Sequence, residues 1–135
     1  MKNIDEILKA VGATAEFLFG EVTNIHQKAN FGDTPLHIVC GWGDTEAVDA
    51  LIEAGADVNA IGEAKMTPLF SAVMGNSVEV VQRLLEAGAN PLVKNEDGRI
   101  VLDFAQNVKD ESNPDSAKLI AFLKAATLEA QKRVR

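Results

Sequence analysis

The chain has 135 residues, of which 47% are hydrophobic, and 13 Lys and Arg against 20 Asp and Glu give it a formal net charge of −7 at pH 7. This length and hydrophobic fraction suffice for one domain with its own core, and no apolar run approaches the roughly 18 residues of a membrane span. The acidic balance argues against DNA or RNA as a partner, because nucleic-acid binding normally requires a basic face.

The cysteine and histidine content argues against a metal site. Cys40 is the single cysteine, and His26 and His37 are the two histidines, so these residues can form neither a disulfide framework nor a zinc cluster. The start of the chain, with Asp5 and Glu6 ahead of a short apolar stretch, does not resemble an export signal. We therefore expect a cytoplasmic protein with no metal and no cofactor.

An internal repeat organises the sequence, with a period of 33 residues from position 34 to position 67. The motif TPLH at Thr34–His37 returns as TPLF at Thr67–Phe70, and EAGA at Glu53–Ala56 returns at Glu86–Ala89. Because a unit of this length buries its apolar face only against its neighbours, the sequence predicts a stack. The predicted units are a degenerate N-terminal cap at 1–29, repeats at 30–62 and 63–95, a degenerate C-terminal cap at 96–126 and a basic helical tail at 127–135.

The first unit predicts two helices, at Ile4–Val11 and Ala13–Phe19. In the next unit, Thr34 can cap a helix that starts at Pro35 and runs to about Gly41. A threonine hydroxyl accepts a hydrogen bond from a free amide of the first turn, and proline at the first helical position loses no backbone bond. Thr67 and Pro68 predict the same start in the third unit.

The turn inside each central unit has residues suited to a left-handed conformation followed by a helix cap. Gly and Asn are the residues that most readily adopt a positive φ, and Asp and Ser are good caps. The predicted turns are therefore Gly43 followed by Asp44, and Asn76 followed by Ser77. A left-handed residue is also expected where the second helices end, at Gly55 and Gly88.

The last unit departs from this pattern. Ile100–Asp103 stands where TPLH belongs, and the segment VKDESNPD at 108–115 lengthens the usual turn. Ala117–Ala125 is the predicted second helix. We expect it to continue into a tail that contains Lys132, Arg133 and Arg135.

The two central units resemble ankyrin repeats in length and in their helix, loop and hairpin signals; they read TPLHIVCGWGDTEAVDALIEAGADVNA and TPLFSAVMGNSVEVVQRLLEAGANPLV. The resemblance implies an all-α solenoid of about four helix-turn-helix repeats with short β-hairpin loops. It also implies that the ring nitrogens of His37 tie neighbouring loops together by hydrogen bonds. Cys40 occupies a place that the family fills with a small buried residue, which implies a packing role.

The resemblance also indicates where a partner would bind, because ankyrin-like proteins typically make contacts through the hairpin tips and the exposed ends of the first helices. Phe31 and Trp42 are large side chains at positions that local packing does not require, as expected of binding anchors. In a second interpretation, Trp42 folds over the neighbouring first helix and shields it. The candidate partner-binding residues are Asn30, Phe31, Asp33, Trp42, Glu63, Ala64, Met66, Met74, Glu96 and Asp97.

The distribution of charge suggests what the partner carries. Seven acidic residues and no Lys or Arg lie between Ala29 and Ala64, so we expect a partner with a basic surface. Three of these acids, Glu46, Asp49 and Glu53, form one stripe of a helix and are more simply explained as a solvated outer face.

The function predicted from the sequence is a non-enzymatic, monomeric module that binds a protein partner and either occludes it or scaffolds it. An alternative, suggested by small size and acidity, is an immunity or antitoxin-like inhibitor that neutralises a basic toxin. An enzyme or a small-molecule binder is less favoured. The sequence shows no convergent acid–base constellation, and a short solenoid usually offers a groove rather than a pocket.

Overall fold

The computed structural model describes residues 2–14 and 21–134, and these ranges contain seven α-helices and no β-strand. The helices are α1 (Ile4–Gly12), α2 (Pro35–Trp42), α3 (Thr45–Glu53), α4 (Pro68–Met74), α5 (Val78–Glu86), α6 (Val101–Asn107) and α7 (Pro114–Arg133).

The helices stack in two layers. One layer consists of α2, α4 and α6, each packed on the next, and the other consists of α3, α5 and α7. Each helix of the first layer also packs on the helix that follows it in the chain, and α1 closes one end of the array against α2 and α3. This arrangement confirms the all-α repeat solenoid.

The helix starts follow the predicted caps with one exception. The Thr34 hydroxyl accepts from the amide of His37 at 3.5 Å, Asp44 accepts from Ala47 at 3.1 Å, and Ser77 accepts from Val80 at 3.3 Å. Thr67 holds the same position before α4, but it makes no capping bond, and its buried hydroxyl has no hydrogen-bond partner among the described residues.

The reason for this exception lies three residues further along the chain. Nδ1 of His37 lies 2.9 Å from the Thr34 hydroxyl and accepts from the Thr34 amide at 3.0 Å, which completes a reciprocal cap. Phe70 stands at the corresponding position after Thr67 and has no polar atom to offer. The same Thr-Pro-Leu letters therefore give a helix start without the three hydrogen bonds that join Thr34 to His37.

The predicted left-handed residues are confirmed. Gly43 has φ 69°, Asn76 has φ 51°, and the residues that end the second helices, Gly55 and Gly88, have φ 98° and 97°.

The three loops that precede the first helices are tight turns, each closed by one backbone hydrogen bond. The amides of Ala29, Gly62 and Asn95 donate to the carbonyls four residues later, at 2.7, 2.8 and 2.9 Å. We call these turns tip 1 (29–33), tip 2 (62–66) and tip 3 (95–99). In the described ranges, the predicted hairpin loops are thus turns and not paired strands.

The two end units differ from the predictions in extent. The helix predicted at Ile4–Val11 is α1, whereas Ala13 and Thr14 form a turn, and the rest of the predicted Ala13–Phe19 helix lies outside the described residues. In the last unit, α7 begins at Pro114 and not at Ala117. The reason is that Asn113 caps it by accepting from the Asp115 amide at 2.9 Å, and Pro114 suits the first helical position.

The predicted continuation of the last helix is confirmed as far as Arg133. Thr127, where the predicted tail begins, is buried within α7, and its hydroxyl donates to the carbonyl of Leu123 at 2.6 Å. The helix therefore passes into the predicted tail without a break. Arg135 lies outside the described residues.

One continuous core runs along the array between the two layers. Val39, Leu51, Val81 and Leu84 are fully buried in it, and Phe70 packs edge-on against Phe104 with ring centroids 5.4 Å apart. Cys40 belongs to this core, where burial raises the pKa of its thiol well above the usual value, so the side chain serves packing.

The φ values give a test of the helix ends. Gly88 has φ 97°, and a Cβ added there would meet no atom within 4 Å, so the cost of Gly88→Ala is the strained backbone alone. We expect a loss of about 1–2 kcal/mol in the free energy of unfolding, measured by urea denaturation.

Gly41 provides the matched control for this substitution. A Cβ there also meets nothing within 4 Å, but Gly41 lies inside α2 with a helical φ, so Gly41→Ala should preserve or increase stability. Equal effects of the two substitutions would contradict the assigned helix end.

Candidate partner-binding surface

The candidate residues from the sequence fall into two groups at opposite ends of the first-layer helices. Trp42 and Met74 lie where α2 and α4 end, whereas α2 begins directly after tip 1 and α4 directly after tip 2. An eight-residue helix such as α2 is about 12 Å long, so the two groups are separated by that distance. The tip group contains Asn30, Phe31, Asp33, Glu63, Ala64, Met66, Glu96 and Asp97.

Helices α2 and α4 offer little accessible side chain between these two groups. Every residue from Pro35 to Cys40 in α2 and from Pro68 to Val73 in α4 is buried. In the units that contain α2 and α4, the exposed side chains of the first layer therefore concentrate at the tips and at the opposite end, where the chain turns toward the second-layer helices. We call this opposite end the turn end.

Hydrogen bonds join each tip to the next. The Asp33 carboxylate of tip 1 accepts from the Glu63 amide of tip 2 at 2.9 Å, and the Ala64 carbonyl of tip 2 accepts from the Glu96 amide of tip 3 at 2.8 Å. Asp33 and Ala64 are both half-buried. Their polar atoms thus contribute to the framework as well as to the surface.

His37 makes the link that the resemblance implied. Its ring is buried, and Nε2 donates to the carbonyl of Met66 at 3.0 Å, while Nδ1 accepts from the Thr34 amide. This pattern requires the neutral ring, and burial lowers the pKa of His37 below its usual value. His37 therefore holds tip 2 against the start of α2 and has no free nitrogen for acid–base chemistry.

Gly62 is a framework residue that the sequence did not reveal. A Cβ at this position would collide with the Asp33 carboxylate and with Nε2 of His37. Only glycine lets tip 2 come this close to tip 1. No local pattern signals this requirement, because it arises from contacts 25 to 29 positions away in the chain.

Phe31 is the most exposed of the candidate apolar side chains, at 68%. Its equivalents in the next two tips, 33 and 66 positions later, are Ala64 and Asp97. The same closing hydrogen bond therefore forms in tips that have phenylalanine, alanine or aspartate at this position. Packing does not explain the phenylalanine.

Trp42 and Met74 are also exposed, at 48% and 56%, and both lie at the turn end. Part of the Trp42 ring lines a cleft of about 170 Å³ with Ile7 and Ala10 of α1. Met66, in contrast, is half-buried and packs against the core. The four large apolar candidates thus differ in setting, because Phe31 is exposed at tip 1, Met66 is half-buried at tip 2, and Trp42 and Met74 are exposed at the turn end.

The charge at the tips is balanced, although the stretch from Ala29 to Ala64 contains acidic residues and no Lys or Arg. Asn30 lies in tip 1 beside Asp33, and Glu63, Glu96 and Asp97 are exposed at the other tips. Basic residues accompany the acids, because the tips and the residues directly before them also contain Lys28, Lys65, Lys94 and Arg99.

The excess of acid lies on α3 and α5 instead, which contain five acidic residues and one basic residue, whereas α7 contains four basic residues and two acidic ones. Glu46 and Glu53 of α3 and Glu79 and Glu86 of α5 are exposed there. Asp49 is an exception, because it forms an ion pair with Arg83 of α5 at 2.6 Å.

Asp44, another of the seven acids, is paired with a cation from outside their stretch. Partial burial opposes its ionisation, but the hydrogen bonds from Lys2 and from the Ala47 amide prevail and hold the pKa of Asp44 below its usual value. Neither this pair nor the Asp49–Arg83 pair could be predicted from the sequence, because the partners lie 42 and 34 positions apart in the chain.

Two negative findings bear on other functions. Within residues 2–14 and 21–134, no three His, Cys, Asp or Glu side chains converge so as to hold a metal ion. In the same ranges, no helix combines the length and the hydrophobicity that crossing a bilayer requires.

Comparison with known proteins identifies the family that the chain resembles. Residues 8–95 match a family model described as ankyrin repeats in three copies. Ankyrin repeat and SOCS box protein 11 of Mus musculus is 38% identical over 90 residues, 67% of this chain and 28% of that protein. BRCA1-associated RING domain protein 1 of Caenorhabditis elegans is 34% identical over 103 residues, 76% of this chain and 14% of that protein.

A third relative is BCL-6 corepressor-like protein 1 of Homo sapiens, which is 30% identical over 84 residues, 62% of this chain and 5% of that protein. The chain thus spans less than a third of the length of each of these relatives.

The neutral, buried state of His37 predicts how stability depends on pH. The unfolded chain takes up a proton on this residue near pH 6.5, whereas the folded chain does so only at lower pH, because burial lowers the pKa. The stabilisation is fully present above pH 6.5 and is lost as the pH falls below it, with a slope of at most about 1.4 kcal/mol per pH unit. Urea denaturation between pH 7.5 and 5 measures this slope.

His37→Phe is the matched control, since Phe70 occupies the same place in the next repeat. The variant should be less stable at neutral pH, because the Met66 carbonyl loses its donor, but its stability should change less between pH 6.5 and 5. An equal slope in both proteins would contradict the assigned role of His37.

Proposed function

Because this chain belongs to the ankyrin-repeat family, whose repeats are generally protein-interaction modules, we propose that it binds a partner protein through its tips and its turn end. The observation that carries the proposal is the exposure of Phe31 at tip 1. An apolar ring in water is unfavourable, and the neighbouring tips show that the fold does not need one there. Covering the ring by a partner would recover that free energy.

The framework around Phe31 suits a binding role. Tip 1 is closed by the bond from Ala29 to Asp33 and is joined to tip 2 through the Asp33 carboxylate. A side chain on such a support loses little conformational freedom on binding, so more of the contact energy contributes to affinity. Trp42 and Met74 provide a second apolar area at the turn end.

The partner's charge is proposed from helices α3 and α5. Glu46, Glu53, Glu79 and Glu86 give these two helices an excess of negative charge, whereas the tips are balanced. Charges outside the contact area act on the approach of a partner and mainly change the association rate. A partner with a basic surface would therefore be steered toward the molecule and then held by the apolar contacts.

The mode of action is proposed as occlusion or scaffolding by a monomer in the cytoplasm. One relative, by its name, combines ankyrin repeats with a SOCS box, and another is named for a RING domain, which is in keeping with scaffolding. An immunity-type inhibitor of a basic toxin would use the same surfaces. The modes differ in one measurable respect, because an inhibitor abolishes its partner's own activity at stoichiometric concentration and a scaffold does not.

Phe31→Ala tests the proposed anchor. Partners are captured by cross-linking to the full chain, and the affinity of a captured protein is then measured by titration calorimetry. We expect a loss of about 2 kcal/mol, roughly thirtyfold in Kd, with little change in melting temperature, since the exposed ring makes few contacts in the free protein.

Phe122→Ala is the matched control, because Phe122 is also an exposed aromatic residue, at 39%, but lies on α7. The control should bind as the wild type does. Unchanged affinity in Phe31→Ala would contradict the proposal.

Electrostatic steering is tested with the same captured partner. Raising the salt concentration from about 50 to 500 mM shortens the Debye length from above 10 Å to below 8 Å, so association should slow while dissociation changes little. Replacing Glu46 and Glu53 by Gln should reproduce part of this slowing in stopped-flow measurements. An association rate that is independent of salt would leave the acids without a steering role.

A further inference from the structure

The connection between α6 and α7 distinguishes the last unit from the other two. Two residues join α2 to α3 and three join α4 to α5, whereas six residues, Val108–Asn113, join α6 to α7. This loop has internal order, because the amide and hydroxyl of Ser112 donate to the Asp110 carboxylate at 2.9 and 2.6 Å. The Asp110 amide in turn donates to the hydroxyl of Ser116 in α7 at 3.4 Å.

A cavity of about 370 Å³ lies between this loop and the end of α4. Its floor consists of buried side chains, Val73, Ala105 and Leu119, while Met74 and Val108 form part of its lining and are 56% and 49% exposed. The volume lies near the lower end of the range for ligand pockets. The long loop thus forms one side of a recess that has an apolar floor and also contains polar lining residues, among them Asn76, Asn113 and Ser116.

The recess continues along the turn end toward Trp42. A second, more polar depression shares Asn76 with the cavity and is lined by Trp42, Gly75 and Lys118. Trp42, Gly75 and Val108 are equivalent positions in successive repeats, 33 residues apart. An elongated surface with an apolar side chain at each end and a recess within it fits a length of polypeptide better than a small compact molecule.

The rim of this surface carries an excess of acid. Lys109 lies 3.3 Å from the carboxylate of Glu111, which neutralises it. Hydrogen bonds from Ser112 lower the pKa of Asp110, so that carboxylate is charged at neutral pH. Glu79, Asp115 and Lys118 line the adjoining depression. With Glu111 counted beside its partner Lys109, four acids and two bases thus surround the recess and the depression.

We infer that the cavity beneath the α6–α7 loop receives an apolar side chain from a partner segment in which Lys or Arg residues flank that side chain. The inference rests on the proposed function and names the contact that the turn end makes. The apolar floor takes the side chain, and the acidic rim pairs with the flanking cations. Trp42 at the far end of the same surface extends the apolar contact along the segment.

A synthetic peptide of sequence Gly-Lys-Lys-Leu-Lys-Lys-Gly is the probe, with two control peptides. One control has Ser in place of Leu, and the other has Glu in place of every Lys. The full chain is labelled with ¹³C in its methionine methyl groups, because Met74 lies at the cavity and Met66 lies at tip 2. Met74→Leu and Met66→Leu assign the two signals.

We expect the leucine peptide to shift the Met74 signal saturably and to leave Met66 unchanged, with at least tenfold weaker binding for each control peptide. Val108→Lys should weaken binding at least tenfold, because it places a cation at the recess. Ile61→Lys is the matched control, since Ile61 is a similarly exposed apolar residue, at 43%, beside tip 2. It should leave the peptide's affinity unchanged.

Several results would overturn the inference. A shift of Met66 alone would place peptide binding at the tips, and the proposed function would stand while the cavity inference failed. No shift of Met74, or equal shifts with all three peptides, would remove the cavity from the binding surface. Binding of N-acetyl-leucine amide as tight as that of the peptide would make the occupant a small molecule, and a dimeric chain that shields Met74 would make it a second copy.

Discussion

The hydrogen bonds between neighbouring tips are the contacts on which the rest of the structure depends. Helices α1 to α6 have seven to nine residues, fewer than the roughly 12 to 15 that an isolated helix needs in water, so none is stable without its neighbours. His37 joins tip 2 to the start of α2, and the Asp33 carboxylate and Ala64 carbonyl join successive tips. These bonds set the spacing between repeats, and the apolar layers pack at that spacing. Gly62 is required for the same reason, because any side chain there would separate the tips.

This framework explains why binding residues can concentrate at the ends of the repeats. The middle turns of α2 and α4 are committed to the core, so variation there would cost stability. The tips and the turn end tolerate Phe, Ala or Asp at one position and Trp, Gly or Val at another. The proposed binding surface is built from those permissive positions, and the long loop between α6 and α7 adds a recess to them.

Local chemistry accounts for what the sequence predicted well. Caps such as Thr34, Asp44 and Ser77 and left-handed residues such as Gly43 and Gly88 depend on their own few neighbours, so a repeat pattern locates them. What the sequence missed depends on distant contacts. The need for glycine at position 62 follows from its contacts with Asp33 and His37, and the balanced charge of the tips follows from which side chains the fold brings together. The cavity under the α6–α7 loop could not be predicted from the sequence, because it depends on the path of that loop, and the composition of the loop does not determine its path.

The central claim is that the tips form one rigid, hydrogen-bonded edge that presents Phe31. Native-state hydrogen exchange at the amides of Glu63 and Glu96 tests it most directly, because these two amides make the bonds between tips. We predict that both amides are protected to a degree that approaches the core amides of α4 and α5, since opening a tip requires separating repeats. Exchange at the rate of an unstructured peptide would contradict this account. The tips would then be independent loops, and Phe31 would not be held on a rigid, preorganised surface.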